Sequence, residues 1–451
     1  MVSAWAFILY YSDWMELHLE LCAASGWRTV ATLQAELTTA GVACTVSYDL
    51  DYAIERMLEA GEGERGIAAL ACAYPVRMEP YHRTHLPAFL DDIRPGGGAQ
   101  RWWTDRLGIA RLPPYEQSLH LLRSAAIAPV GHLRIAEAVP ARMGPPPRFA
   151  LHDVLTRNHT FLDYAAEAGA SVGGATGAGG EAPKLLLRVS ADEEVWIDTW
   201  QDEDPPDPPY LVKFARHPNS PVDADILRAE YVYYRALAAL GFETMDPARM
   251  WLMEGPRGPS LWLPRFDVVR LKGGELRLGM ESLYSLTDAP PGSWQAHQTY
   301  VAALHGLLQA SPEDAEALVG AYLERDLLNV VFGNSDNHGR NTAILKTLSG
   351  IKLAPIFDFA PMKLDPEGIV RTTRWHAHEH GSLIDWPGVC KALAPYGRPA
   401  AFMERLHLLA HRLRDLPDRL EALGLAPEVL HAPALGLTQT AERLKGWGLL
   451  P

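Results

Sequence analysis

Only four cysteines occur in 451 residues, Cys22, Cys44, Cys72 and Cys390, and no two stand as C-x-x-C. That scarcity excludes a zinc ribbon or a disulfide scaffold and fits reduced, buried thiols of a cytoplasmic protein. Long apolar runs are lacking as well. No stretch approaches the ~20 apolar residues that a bilayer span needs, so no membrane association is expected. The segment Val2–Tyr11 is apolar but has no basic flank and soon meets Asp13 and Glu16, which reads as a buried segment rather than a signal peptide. Positive charge is in short supply: 41 Lys+Arg face 55 Asp+Glu, a net −14. Broad electrostatic affinity for nucleic acid is thereby excluded, although not a local patch. Core material, by contrast, is plentiful. The chain is 48% apolar with 13 Trp, and its length suggests about three domains of ~150 residues.

The densest chemistry lies in Gly333-Asn334-Ser335-Asp336-Asn337-His338-Gly339-Arg340-Asn341, followed by Ile356-Phe357-Asp358-Phe359. Alone, such a polar run would be a solvated turn. Its flanks argue otherwise. An apolar helical run ends at Phe332, and Thr342–Leu345 and Leu353–Ile356 read as two short strands around Ser349-Gly350. Phosphoryl transfer from a nucleotide requires one carboxylate to take the acceptor's proton, and an amide oxygen and a second carboxylate to hold Mg²⁺. Asp336, His338 and Asn341 are therefore the candidate catalytic residues, with Asn341 and Asp358 as metal ligands. Upstream, Lys213 interrupts the apolar strand Tyr210–Phe214 and needs an anion. Glu230, 17 residues later on a helix, is its candidate partner. The Gly-rich stretch Ser171–Gly180 could donate backbone N–H groups to phosphates, although such tracts also serve as linkers.

Four segments organise the chain. Residues 1–80 read as helices Trp14–Ala24, Thr29–Leu37 and Ser47–Glu59 with a turn-and-strand stretch Gly61–Val76, a winged-helix-like module. Its reading helix presents Asp49 and Asp51, which repel phosphate, and favours a packing or partner role over direct DNA contact. Residues 81–150 are a proline-punctuated subdomain and linker, with a turn cluster at Asp91–Gly98 and a helix Leu119–Ala126. Residues 151–280 are β-rich, with a helix from Leu151 through Tyr164, strands over Glu181–Leu187, Glu194–Ile197 and Trp262–Val268, and a helix Asp225–Leu240. Residues 281–451 are helical, notably Trp294–Leu308 and Pro312–Phe332. The expected fold class is α+β: a bilobal protein-kinase-like fold, a β-rich N-lobe and an α-helical C-lobe, behind the winged-helix-like module.

These motifs resemble the HipA family of bacterial serine/threonine kinases over roughly residues 85–395. The family's D-x-H-x-x-N stands as Asp336-His338-Asn341, its metal aspartate as Asp358 and its strand lysine as Lys213. Its G-G-E-x-P-K segment stands as Gly179-Gly180-Glu181-Ala182-Pro183-Lys184, and R-F-D as Arg265-Phe266-Asp267. Two departures are Arg340, where the family has Lys, and the insert Ala175–Ala178. The resemblance implies ATP and Mg²⁺ as cofactors, with Lys184, Gly179 and Gly180 beside the phosphates. It implies a protein substrate such as an aminoacyl-tRNA synthetase or other translation factor, an antitoxin partner, and autophosphorylation of the Gly-rich loop at Ser171. Two other functions compete: a nucleic-acid-binding regulator with a degenerate kinase lobe, and a small-molecule or lipid kinase of the same fold.

Overall fold

Period two, not the helical period, governs the first segment of the computed structural model. Met15, Leu17, Leu19 and Leu21 alternate with polar residues and form strand β1 (Trp14–Ala23), not a helix. The structure describes residues 14–451 apart from 24–25, 39–40, 62, 128, 141–145, 158–164, 166–183, 199–206, 218–219, 273, 309 and 382. β1 pairs with β2 (Gly26–Thr38), which pairs with β3 (Gly41–Tyr48). With β4 (Tyr81–Arg83) and β5 (Leu133–Ile135) they form an antiparallel sheet of order β4-β3-β2-β1-β5.

The winged-helix-like module is thus corrected. Two of its three helices are strands, because Leu17, Leu19, Leu21, Leu33 and Val46 each need the same sheet face to reach one core. The third survives as helix α1 (Leu50–Ala60). Asp49 caps it by accepting a hydrogen bond from the Tyr52 N–H, 2.9 Å, so its carboxylate serves the helix end. The stretch Gly61–Val76 is mainly turns, with one isolated bridge between Ala71 and Tyr74. Helices α2 (Gly97–Leu107) and α3 (Pro114–Ala125) follow. The Gly97-Gly98 pair starts α2, where the sequence reading had only a turn cluster.

A second antiparallel sheet builds the next lobe in the order β10-β11-β9-β7-β8-β6. Its strands are β6 (Arg148–Ala150), β7 (Lys184–Val189), β8 (Glu194–Ile197), β9 (Pro209–Phe214), β10 (Trp251–Gly255) and β11 (Gly258–Pro264). Helix α4 (Leu151–Leu155) begins where a helix was expected, while 158–164 lies outside the described residues. Helix α5 (Pro221–Ala239) joins β9 to β10. A hairpin, β12 (Val268–Leu271) with β13 (Gly274–Arg277), leads into the third lobe.

That lobe holds α6 (His297–Leu307), α7 (Pro312–Phe332) and α8 (Pro399–Leu413). Beside them lies a small sheet β14-β16-β17, from Gly279–Ser282, Ala343–Thr347 and Gly350–Leu353. β15 (Gln295–Ala296) pairs in parallel with β18 (Thr373–Arg374). One large apolar cluster runs from α5 through α7 and α8, so the two lobes share a core. At their junction Tyr233 meets the Phe332 ring edge-on at 4.9 Å, and Phe332 meets Phe359 at 5.3 Å. These contacts fix α5 against the loop that carries Asp358. All four cysteines are buried and free. No helix among the described residues is long and apolar enough to cross a membrane.

Candidate active site

The end of α7 builds the loop that carries Asp336, His338 and Asn341. Gly333 terminates the helix in the left-handed region, φ +74°, and a Cβ there would lie 2.5 Å from Leu435 Cδ2, so glycine is strongly favoured. Asn334 then bonds back through Nδ2 to Asn329 Oδ1, 2.9 Å, and its Oδ1 accepts the Asp336 N–H, 3.2 Å. Asn341 closes the loop: its Nδ2 donates to the Asp336 carbonyl, 2.8 Å, and to Asp336 Oδ2, 3.2 Å. His338 stacks over Tyr284, centroids 6.1 Å apart, with Nε2 3.4 Å from Asp336 Oδ1. Gly339 lacks room for a Cβ, which would fall 2.3 Å from the Tyr300 hydroxyl.

The β lobe supplies the cations. Lys184 on β7 and Lys213 on β9 are direct cross-strand partners. Both reach Asp358: Lys184 Nζ to Oδ2 at 2.9 Å and Lys213 Nζ to Oδ1 at 2.5 Å. Lys213 also donates to Glu230 Oε1 on α5 at 2.5 Å, and the Tyr234 hydroxyl donates to that same oxygen at 2.7 Å. Burial opposes the charge on Lys213, but Asp358 and Glu230 outweigh it and hold the ammonium protonated well above its usual range. Burial likewise opposes Asp358 ionisation, and the two lysines override it, holding that carboxyl far below the carboxylate range. Asp358 itself sits at φ +52°, a left-handed conformation that a non-glycine residue adopts at a cost.

Between the lobes lies a cleft with two chemically different ends that share Lys184, Lys213, Asn341 and Asp358. The polar end adds Glu230, Asp336 and His338. The other is walled by Leu211, Leu263, Phe266, Met280 and Phe357. The structure therefore gathers Asp336, His338, Asn341, Asp358, Lys184, Lys213 and Glu230 around one space. Ser171, Gly179 and Gly180 lie outside the described residues. Arg265 and Asp267 form a buried ion pair at the join of the lobes, where Asp267 Oδ2 also accepts the Gly131 N–H at 2.7 Å.

Three contributors had escaped the sequence reading. Tyr234 stands one helical turn after Glu230, a spacing that could have disclosed it. Asn334 orients Asp336 and was visible only as part of a polar run. Asp92 lines the apolar end opposite Arg340, Nε 3.9 Å from its Oδ1, and accepts the Ser282 N–H at 2.8 Å. Burial pushes the Asp92 carboxyl up to about 6, against the pull of Arg340 and the Ser282 N–H.

A β lobe and a helical lobe enclosing a lysine-carboxylate bridge define a kinase-like bilobal class. A family model described as the HipA-like C-terminal domain matches residues 173–413, more than half of the chain. The chain belongs to this HipA-like family. Among solved structures it is similar to HipA of Shewanella oneidensis MR-1, from the toxin-antitoxin complex of HipA, HipB and operator DNA. That likeness has 15% identity and a TM-score of 0.64, and it covers 96% of this chain and 97% of the other. The Helicobacter pylori proinflammatory kinase CtkA aligns at 12% identity over 60% of this chain and 93% of its own, with a TM-score of 0.37. No curated protein matches the sequence.

Proposed function

We propose that this protein is an ATP- and Mg²⁺-dependent serine/threonine protein kinase of the HipA type. The observation that carries the reading is the chain of bonds Glu230–Lys213–Asp358 across the lobes, facing the Asp336–Asn341 loop over one cleft. The donor set fits Mg²⁺. Asn341 spends its amide nitrogen on Asp336, which leaves Oδ1 as a hard oxygen in the cleft that Asp358 also lines. Bound there, the metal would neutralise nucleotide phosphates. The remaining roles belong to the chain itself. Lys213, held by Glu230, and Lys184 bind phosphate oxygens. The apolar end accepts the base and shields it from water. Asp336 takes the proton of the acceptor hydroxyl, and its loop hydrogen bonds keep it pointed at the cleft.

The acceptor in this reading is a protein, such as an aminoacyl-tRNA synthetase or another translation factor. Ser171 is a second, intramolecular acceptor. Phosphate there adds about −1.5 to −2 charges beside the nucleotide's own, which favours an open, inactive loop. Because the Shewanella neighbour was solved with HipB and operator DNA, an antitoxin-like partner that carries the DNA contact is part of the proposal. The test is incubation with labelled ATP, Mg²⁺ and cell extract beside an Asp336→Ala control. Label on a protein and on Ser171, absent in the control, is the expected result. MgATP binding without any transfer would sink the kinase assignment.

A further inference from the structure

Behind the catalytic loop lies a groove of about 630 Å³ that the phosphoryl-transfer cleft does not absorb. The two adjoin, since Ile369 lines both, and Asn334 and Ser335 line the groove immediately before Asp336. Lys363, Arg371, Arg374 and Arg443 all line it. Glu379 is its acidic lining residue, and it is already paired with Arg371 Nε at 3.0 Å.

Arg371 is compensated by Glu379 and, at 2.9 Å, by Asp326; the other three cations are not, among the described residues. Burial, then Arg443 and Arg371, depress the Lys363 ammonium below its usual range. No carboxylate pairs with Lys363 or Arg374 among the described residues. Arg374 instead lies over the exposed Trp294 ring, 5.4 Å from its centroid. Arg443 gives its N–H groups to the Val330 and Val331 carbonyls at the end of α7, which fixes it without neutralising it. Two buried polar atoms, Ser335 Oγ and Arg371 Nη1, have no hydrogen-bond partner among the described residues. Like charges gathered in a concavity, with unsatisfied donors beside them, describe a site for an anion.

We infer that this groove binds an acidic segment of the acceptor protein and sets which hydroxyl reaches Asp336, a proposal that rests on the kinase reading above. A peptide suits it better than a nucleic acid. Val330, Leu383, Leu435 and Trp447 add apolar lining to the cationic groove, which suits a segment with both acidic and apolar side chains. The chain's net charge of −14 repels a long polyanion.

The test uses the full chain with MgATP and two fluorescent peptides of equal length, one with its serine flanked by Glu and one with Lys, plus a short single-stranded RNA. Anisotropy should show the Glu peptide binding at least about tenfold more tightly than the Lys peptide. Lys363→Glu and Arg374→Glu should each weaken the Glu peptide by about tenfold, with MgATP affinity unchanged as the check on folding. Lys363→Ala, which only removes charge, should show a smaller loss in the same direction. Equal binding of the two peptides, or Glu-peptide binding that ignores the variants, overturns the inference. So does RNA that binds more tightly than the Glu peptide and is released by the variants, which would mark a nucleic-acid groove. Phosphate transfer to the same peptides separates the two readings. Charge-selective binding with no transfer counts against the kinase alone, and transfer without charge preference counts against the groove alone.

Discussion

Lys184 and Lys213 stand directly opposite each other on β7 and β9, with the Asp358 carboxylate between their ammonium groups. Like charges in that register repel, so Asp358 holds the lobes together as well as facing the cleft. Asp358→Asn should therefore lower the unfolding free energy by about 2 kcal/mol, since it leaves Lys184 without a charge partner and Lys213 with Glu230 alone. It should also weaken Mg²⁺-dependent nucleotide binding, and Asn341→Ala should share that effect with a smaller loss of stability, from its two hydrogen bonds to Asp336. Urea titration and calorimetry at limiting Mg²⁺ separate the two. Unchanged nucleotide affinity in both variants counts against metal binding here.

Lys213→Met should impair both ATP affinity and turnover, because Glu230 and Asp358 lose the cation that both contact. Lys184 pairs only with Asp358 among these carboxylates and is the less buried lysine, so Lys184→Met should cost less. A fully active Lys213→Met beside a dead Lys184→Met would swap the two roles.

Asp336→Ala should reduce phosphoryl transfer by ~10²–10⁴-fold, the usual loss for a positioned acid-base group. The fold should survive, because Asn341 Nδ2 keeps its bond to the residue 336 carbonyl and Asn334 keeps its bond to Asn329. Matching denaturation midpoints together with lost transfer would satisfy this expectation, and wild-type turnover would remove Asp336 from the chemistry.

What the sequence disclosed follows from how local each signal is. The helix expected at Pro312–Phe332 has those bounds in the structure, because proline starts it and a left-handed glycine ends it. Lys213 stood out because it interrupts an apolar strand, Asp336, Asn341 and Asp358 because of their motif spacing, and Glu230 because of its place on the next helix; the structure brings all five to one cleft. β1 misled because Leu17 and Leu21 also satisfy a four-residue helical spacing, and only pairing with β2 and β5 makes the period-two reading win. The hydrogen bond between Asp92 and Ser282 joins residues 190 apart in sequence, so no local pattern could announce it.

Asp92 gives the sharpest pH test. Its native carboxyl is pushed up to about 6 by burial, while the unfolded value is near ~3.9. The native state therefore binds more protons than the unfolded chain between these values. Stability from this group is full below the unfolded value and is lost as pH rises through about 6. The loss has an upper limit of about 3 kcal/mol, reduced by whatever solvent reaches the carboxyl. Asp92→Asn keeps an oxygen for the Ser282 N–H but cannot ionise, so it should remove this slope. Unfolding free energies of both proteins from pH 4 to pH 7.5 should diverge, with the variant relatively more stable at the upper end. Parallel curves would mean that Arg340, 3.9 Å away, already holds Asp92 ionised throughout.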